Sequence, residues 1–256
     1  MSKSIQRSVR GLIGAVICLG LWQLADQLHW VDPTFIPGPV EIGRRVWQLF
    51  GTAEFRVDFV ATLLAWLIAI LSATVVAVPL GLLLGSMPVL RGALSAVVDM
   101  LRPIPTVTLI PLVLTAFGDG AQIKIILAAF ASIWPILFNV IYGLREVDPL
   151  FVDTARAFRA GRLRTALSVR LPYIAPFALT GIRMSAAISL VVVVSTEFIN
   201  NAGIGFGSYV VLNGEQTGDT PMVIGGVVIA GILGCLVNGL LQGAQNRWFS
   251  WATEGA

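Results

Sequence analysis

Side chains able to carry out acid–base, nucleophilic or metal chemistry are few in this sequence. It has one histidine (His29), two cysteines (Cys18 and Cys235) and two lysines (Lys3 and Lys124). Neither lysine follows a glycine-rich run, so there is no phosphate-binding P-loop, and the cysteines have no zinc or disulfide spacing. We therefore predict no catalytic constellation, no metal site and no cofactor in this chain.

Positive charge gathers in one stretch, DTARAFRAGRLRTALSVRLP at 153–172. It holds five arginines, although only 12% of the chain is charged. Two interpretations are open: cytoplasmic loops of membrane proteins are basic as a topology signal, and a basic loop can also be a binding surface. The choice depends on the elements that position this stretch.

Most of these elements are apolar enough to cross a membrane. The chain has 256 residues, of which 56% are hydrophobic, and a mean hydropathy of +0.85. This is more apolar surface than one soluble core of this length can bury. Uncharged runs at 63–84, 125–144 and 220–246 each reach the roughly 20 helical residues that span the hydrocarbon core.

Three further spans are predicted from interrupted apolar runs. Residues 11–25 lack a small-residue cleavage site after them and are interpreted as an anchor that is retained. Residues 103–118 contain three prolines, so this span should be kinked or partly unwound inside the bundle. Residues 175–198 include Arg183 and Glu197, and ionisable groups at depth face a cavity or a partner. We predict an all-α, polytopic integral membrane helical bundle with about six transmembrane helices, at about 11–28, 60–85, 93–118, 123–144, 175–198 and 220–246.

The distribution of Lys and Arg predicts the orientation. Six spans put the N-terminal tail 1–10, the turn at Arg91, the loop 145–174 and the C-terminal tail 247–256 on one face, where most of the 17 basic residues lie. The segment 199–219 on the other face has no Lys or Arg. By the positive-inside rule, both termini and the loop 145–174 are predicted to be cytoplasmic.

The loop 145–174, hereafter the basic loop, has an internal order that favours a binding surface. Asp148 and Pro149 predict a helix start, as an N-cap and a first-turn proline. Gly161 is expected to end this helix in the left-handed conformation. A second short helix is expected from 162 to about 170, ending before Pro172 because the residue ahead of proline is disfavoured in the α region.

The first of these helices presents an apolar stripe. Phe151, Ala155 and Phe158 share one face at i, i+4, i+7 spacing. A loop of two short helices with an aromatic stripe and a basic flank is predicted to dock into a partner. The alternative is that Phe158 packs back on the membrane domain.

The residues of this loop resemble a known family. DTA at 153–155, Gly161 and Leu171-Pro172 are similar to the EAA loop of permease subunits in binding-protein-dependent ATP-binding-cassette (ABC) importers. Further motifs resemble the nitrate, taurine and aliphatic sulfonate group of these permeases: FIPGPVEI at 35–42, PLGLLLG at 79–85, LRPIPTVTLIPL at 101–112, and TGIR at 180–183 followed by Glu197.

The sequence departs from the family pattern at two places in the loop. Asp153-Thr154 stands where Glu-Ala is usual, and Phe158-Arg159-Ala160 stands where a leucine followed by Gly-Ala is common. These changes fall on the docking surface, whereas Gly161 and Leu171-Pro172 match the pattern.

The resemblance implies a mechanism and a set of partners. The basic loop would sit in a groove of a cytoplasmic ATPase subunit, and ATP-driven closure of two such subunits would tilt the spans. The implied partners are a second copy of the chain in a homodimer, two ABC ATPase subunits that hold ATP and magnesium, an extracytoplasmic solute-binding protein and the lipid bilayer of the bacterial cytoplasmic (inner) membrane; nucleic acid is not expected. The implied coupling residues are Asp153, Ala155, Phe158, Gly161, Leu171 and Pro172.

Candidates for the translocation path are Thr108, Trp134, Ser195 and Glu197. Each has helix packing as its alternative, because Ser and Thr also hydrogen-bond across membrane helices. Glu197 is alternatively a cap for the outer end of its span; Arg183 lies about 21 Å away along the same helix, too far to pair with it. GFGSY at 205–209 is predicted to be a flexible external turn.

Two rival classes remain for comparison. A stand-alone secondary transporter or channel predicts charged coupling residues at mid-membrane and internal repeats, and neither is clear in the sequence. A membrane-embedded enzyme predicts clustered His, Asp or Glu, which the sequence lacks. The resembling group implies uptake of a small solute, such as nitrate, taurine or an alkanesulfonate.

Overall fold

The computed structural model describes residues 3–30, 32–200 and 203–249, and in these ranges the chain is helical without any β-strand. The helices, numbered in chain order, are α1 (Lys3–Gln27), α2 (Pro39–Gly51), α3 (Ala53–Ser86), α4 (Pro88–Leu101), α5 (Ile110–Phe117), α6 (Ala121–Arg145), α7 (Pro149–Ala157), α8 (Arg162–Thr165), α9 (Leu171–Asn200), α10 (Phe206–Thr217) and α11 (Thr220–Trp248). A 3-10 helix (Thr106–Leu109) precedes α5, and one turn of π-helix (Ala166–Arg170) precedes α9.

Three long helices, α3, α6 and α9, form the centre of the fold, and α6 makes the most extensive contacts with the other two. The contact between α6 and α9 is close because Gly181 faces the α6 backbone. A Cβ atom at Gly181 would lie 2.8 Å from the Cα of Ile136 and 2.9 Å from the carbonyl oxygen of Pro135. Helices approach this closely in membranes where the facing residue is small, because association there depends on packing.

The remaining helices surround this centre. α11 packs against both α2 and α10, and each of the three packs against α3 or α9 around the buried Phe55 and Phe206. α1 contacts α2 and exposes most of its apolar side chains. In a membrane protein, such exposed apolar surface faces lipid or another transmembrane chain.

Among the described residues, four helices are long and apolar enough to cross a membrane: Ala53–Ser86, Ala121–Arg145, Ala166–Asn200 and Thr220–Trp248. They overlap the predicted spans 60–85, 123–144, 175–198 and 220–246. The predicted span 93–118 is not one helix, since α4 ends at Leu101 and the chain resumes as a 3-10 helix at Thr106. The prolines at 103 and 105 lie in that interruption, where their missing N–H groups break no helical hydrogen bond.

The ends of the chain and the segment 199–219 also differ from expectation. Residues 3–10 of the predicted N-terminal tail belong to α1, while residues 1–2 and residues 250–256 of the predicted C-terminal tail lie outside the described ranges. The predicted flexible turn at 205–209 is wrong: Phe206 begins α10, and Phe206, Gly207 and Ser208 are buried. The pattern was misinterpreted because glycine here permits close approach rather than flexibility.

Candidate functional site: the basic loop and the Glu197 cluster

The start of α7 confirms the helix signal in the sequence. Pro149 is in the first turn, and the Asp148 carboxylate accepts a hydrogen bond from the backbone N–H of Leu150 at 2.8 Å. This satisfies one of the backbone donors left free at a helix N-terminus. The first helix of the basic loop therefore begins where the sequence places it.

The end of α7 corrects the prediction for Gly161. Arg159, not Gly161, has the left-handed conformation, with φ 55°. The N–H of Ala160 donates to the carbonyl of Ala155 at 3.0 Å and that of Arg159 to Arg156 at 2.8 Å, which is the Schellman pattern of a helix C-terminus. The carbonyl of Gly161 instead accepts from the N–H of Thr165, so Gly161 is the residue directly before α8. The helix stops two residues earlier than the glycine suggests.

The second short helix was also predicted wrongly, since it does not end before Pro172. α8, the π-turn and α9 form one continuous helical segment, and the N–H of Leu171 donates to the carbonyl of Ala166. The π-turn moves the hydrogen-bond register by one residue just ahead of Pro172, and such insertions accompany proline in helices. The second half of the basic loop therefore runs without a break into the long helix α9.

The apolar stripe of α7 is open to the surroundings of the chain. Phe158 is 84% exposed and Phe151 51% exposed, so in this structure Phe158 does not pack back on the membrane helices. Ala155 and Pro172 help to line an apolar cleft of about 420 Å³ between α7 and the start of α9, together with Phe151, Thr154, Ser168, Val169 and Tyr173. Asp153 pairs with Arg156 at 3.0 Å on the exposed side of the helix. The loop thus presents two aromatic rings and an apolar cleft.

A buried polar cluster lies near the opposite end of α9. Glu197 is 3% exposed and Lys124 5% exposed, and the Lys124 Nζ lies 2.5 Å from the Glu197 Oε1. The Thr62 hydroxyl donates to the same carboxylate at 2.9 Å, and the N–H of Gly207 donates at 3.0 Å. The Ser208 hydroxyl donates to the Glu197 carbonyl at 3.2 Å. We call these residues (Thr62, Lys124, Glu197, Gly207 and Ser208) the Glu197 cluster.

Four helices meet at the Glu197 cluster, because its residues come from α3, α6, α9 and α10. The Gly207 N–H belongs to the first turn of α10, where the helix dipole favours a carboxylate. A Cβ atom at Gly207 would lie 2.7 Å from the Cβ of Glu197, so glycine allows α10 to approach α9. The Lys124 Nζ also donates to the carbonyl of Ile204 at 2.6 Å. The cluster holds the start of α10 against the end of α9.

Sequence reasoning treated Glu197 as a path residue and assigned Lys124 no role. The missed signal was a pair of opposite charges at the predicted outer ends of two spans, 123–144 and 175–198. A carboxylate and an ammonium group at the same depth of a bundle are expected to pair, because a single buried charge is unfavourable. Only the packing of α6 against α9 brings them together.

The other candidate path residues are not brought to one place by contacts in the described part of the chain. The exposed Thr108, in the 3-10 helix before α5, donates from its hydroxyl to the carbonyl of Pro105 at 2.7 Å. Trp134 on α6 is half-buried and packs edge-on against Phe130 with ring centroids 5.6 Å apart. Ser195 on α9 is half-buried.

Both the sequence and the fold of this chain are similar to those of known transport proteins. Residues 77–250, more than half of the chain, match the family described as binding-protein-dependent transport system inner membrane component. A solved structure described as an inward facing conformation of the MetNI methionine ABC transporter covers 81% of this chain and 96% of its own, with a TM-score of 0.62 and 19% identity. At that identity the likeness shows a shared fold.

Curated relatives match over nearly their full length. The nitrate import permease protein NrtB of Leptolyngbya laminosa is 26% identical over 96% of this chain and 90% of its own. The taurine transport system permease protein TauC of Escherichia coli K12 is 27% identical over 98% and 92%. The putative aliphatic sulfonates transport permease protein SsuC of the same strain is 27% identical over 91% and 88%. These matches confirm the resemblance inferred from the motifs, and the chain belongs to the family of binding-protein-dependent transport system inner membrane components.

Proposed function

We propose that this chain is the permease subunit of an ABC importer for a small anion. It forms a homodimer and works with two ATPase subunits and an extracytoplasmic solute-binding protein. Family membership and the four long apolar helices make it a multi-pass protein of the inner membrane. In this role the chain carries the solute path, and the partner ATPase supplies the ATP chemistry.

The exposure of Phe158 is the observation that carries the coupling role. Phe158 directly follows α7, outside the apolar spans, and with 84% of its surface exposed it buries little apolar area within this chain. Aromatic side chains of this kind become interface anchors when a partner groove buries them. The basic side chains beside it, Arg156 and Arg159, match a partner surface with carboxylates.

The continuous helix behind the loop supports transmission. Because α8, the π-turn and α9 are joined without a break, a displacement of the docked loop would be transmitted to α9 through continuous helix. α9 in turn packs against α6, α3 and α11. Closure of two ATPase subunits would then change the tilt of α9 in both copies of the chain.

The substrate class follows from the relatives and from composition. The names of the relatives refer to nitrate, taurine and aliphatic sulfonates, which all carry an oxyanion group. The chain has a net charge of +3, so it does not repel anions overall. A small solute with a nitrate-like or sulfonate-like group is the substrate we propose.

The partnership is tested by purification. The chain purified alone in detergent should show no ATPase activity, and affinity purification from its host should recover a P-loop subunit in equal amount. Uptake into liposomes should require that subunit, ATP and the binding protein. Robust uptake by the chain without them would support the stand-alone transporter and overturn the proposal.

The orientation is tested with single cysteines at two exposed positions, Arg164 and Glu215, after Cys18 and Cys235 have been replaced by serine. A membrane-impermeant thiol reagent should label Arg164→Cys only from the cytoplasm and Glu215→Cys only from outside. One long apolar helix, α9, separates the two sites, so labelling of both from the same side would refute the proposed orientation.

A further inference from the structure

Helices α9 and α11 carry a polar contact within apolar sequence. Arg183 of α9 donates from one guanidinium nitrogen to the side-chain oxygen of Gln242 of α11. One turn earlier on α9, the Thr180 hydroxyl accepts from the Gln245 amide at 2.8 Å. The Gln245 Oε1 atom is buried and has no hydrogen-bond partner among the described residues. The Gln245 Oε1 atom and the remaining N–H groups of Arg183 can therefore form further hydrogen bonds.

The charge of Arg183 is uncompensated in the described ranges. Their ion pairs are Arg45 with Asp219, Lys124 with Glu197, and Arg156 with Asp153. None of them involves Arg183. A guanidinium group has five N–H donors and stays charged, so a single bond to a neutral amide leaves most of its capacity open. Within a membrane span, such a group faces a water-filled cavity or an anionic partner.

The depth of Arg183 separates it from the Glu197 cluster. At about 1.5 Å per residue, Arg183 lies about 21 Å from Glu197 and about 18 Å from Leu171 along α9. Its side chain is half-buried and reaches the surface of the chain. The neighbouring exposed side chains on α9, Met184, Ile188 and Val191, are apolar. Arg183 thus places a positive charge beside exposed apolar side chains of α9, with Thr180 as its polar neighbour one turn away.

We propose that Arg183 is an anion-binding group on the solute path and contacts the oxyanion of the transported solute. This inference rests on the proposed function. The planar guanidinium fits two oxygens of a nitrate or sulfonate group, and hydrogen bonds to ionised oxygens are stronger than those between neutral groups. Gln242 holds the guanidinium in place from the neighbouring helix. Arg183 has no fixed counter-ion among the described residues, so its charge is available to the oxyanion of a solute while that solute is bound.

The phosphate of a lipid headgroup also presents negatively charged oxygens that a guanidinium group can bind. The two sources differ in access: a solute reaches Arg183 from water, whereas a headgroup reaches it from the bilayer. The experiment therefore measures access from water and the effect of anionic lipid in separate arms.

The test uses a reporter thiol next to the arginine. Met184→Cys is introduced in the chain with Cys18 and Cys235 replaced by serine, and the complete complex with its ATPase is purified in detergent. The reaction rates of this thiol with sulfonatoethyl methanethiosulfonate, an anion, and with its trimethylammonium analogue, a cation, are compared. With Arg183 present, the anion-to-cation rate ratio should be at least about fivefold higher than with Arg183→Gln, since charge attraction changes the local concentration of each reagent. Arg183→Lys should keep most of the preference.

Arg44→Gln is the matched control, because Arg44 is exposed on α2, which packs against Gly225 of α11, about 25 Å along that helix from Gln242. It should change the ratio by less than about twofold. An equal effect of both variants would show a general charge effect and overturn the proposal. A thiol that is unreactive towards both reagents would show that the position is closed to water, and this would overturn it too.

The lipid arm repeats the measurement in nanodiscs with and without phosphatidylglycerol. The ratio should be the same in both; loss of the anion preference only with the anionic lipid would assign Arg183 to a headgroup and overturn the solute assignment.

In proteoliposomes, Arg183→Gln should lower the initial uptake of nitrate, taurine or methanesulfonate, whichever the wild-type complex imports, at least tenfold. If the wild-type complex imports none of the three, the proposed substrate class fails, while the thiol ratio still decides the role of Arg183.

Discussion

The two ends of helix α9 are built in different ways. Near its C-terminal end, Glu197 is 3% exposed and accepts hydrogen bonds from Lys124, Thr62 and Gly207, which come from three other helices. At its N-terminal end, α9 continues into a π-turn and a loop on which Phe158 is 84% exposed.

This difference separates what the chain stabilises by itself from what it presents to a partner. The Glu197 cluster satisfies its charges internally and holds the connection to α10. The basic loop is ordered in its backbone, through the Asp148 cap and the hydrogen bonds around Arg159, but leaves its apolar side chains open. Substitutions at the first end should lower stability, and substitutions at the second should affect partner binding.

The largest effect is expected from breaking the buried ion pair. Glu197→Gln removes the counter-charge of Lys124 and should lower the free energy of unfolding by about 3–5 kcal/mol, because an isolated buried charge remains. The measurement is the thermal unfolding of the chain in detergent. Glu215→Gln, on the exposed side of α10, is the matched control and should change stability by less than about 0.5 kcal/mol.

A second substitution sharpens this result. Adding Lys124→Met to Glu197→Gln removes the remaining charge and should restore a large part of the lost stability. If the double variant is as unstable as the sum of the two single variants, the charges act independently and the cluster is not a coupled pair.

Truncation at the opposite end should act on binding. Phe158→Ala should weaken association with the ATPase subunit by about 2 kcal/mol or more, because buried aromatic anchors dominate interface energies. The thermal stability of the isolated chain should stay the same, since the ring is 84% exposed. Co-purification of the ATPase at equal membrane abundance is the measurement; undiminished co-purification would contradict the docking role.

The packing of α9 against α6 is tested by adding one methyl group. Gly181→Ala places a Cβ atom 2.8 Å from the Cα of Ile136, so the helices must separate, at about 1–3 kcal/mol. Gly239→Ala on α11 has nothing within 4 Å and should stabilise the chain by about 0.5–1 kcal/mol, because alanine is favoured over glycine inside a helix. Equal unfolding temperatures for the two variants would show that α6 shifts without cost.

The smallest effects concern the turn between α7 and α8. Arg159→Val puts a β-branched residue in the left-handed conformation and should destabilise the helix end by about 1–2 kcal/mol, whereas Arg159→Gly should stabilise it by up to about 1 kcal/mol. Gly161→Val and Arg164→Ala should be milder. The readout is hydrogen exchange of the Ala160 amide, which donates to Ala155. Faster exchange in Gly161→Val than in Arg159→Val would reverse this ranking.

Much of the fold was accessible from sequence because its signals are local. Three long uncharged runs and the interrupted apolar run 175–198 correspond to the four long apolar helices of the described ranges, and the Asp148-Pro149 pair marks the start of α7. The spaced motifs resembling nitrate, taurine and sulfonate permeases agree with the family match. The end of α7 was misplaced because the left-handed position fell on Arg159, a residue type that rarely adopts it.

The sequence by itself determined that the chain crosses a membrane, that it lacks a P-loop, and that it presents an ordered basic loop. These properties depend on hydropathy, on residue type and on neighbours within a few positions. Only the tertiary structure decided that Lys124 pairs with Glu197, that Gly207 lets α10 approach α9, and that Arg183 contacts Gln242. Such contacts join residues between 10 and 73 positions apart. They depend on how helices are rotated against each other, which a single sequence does not specify.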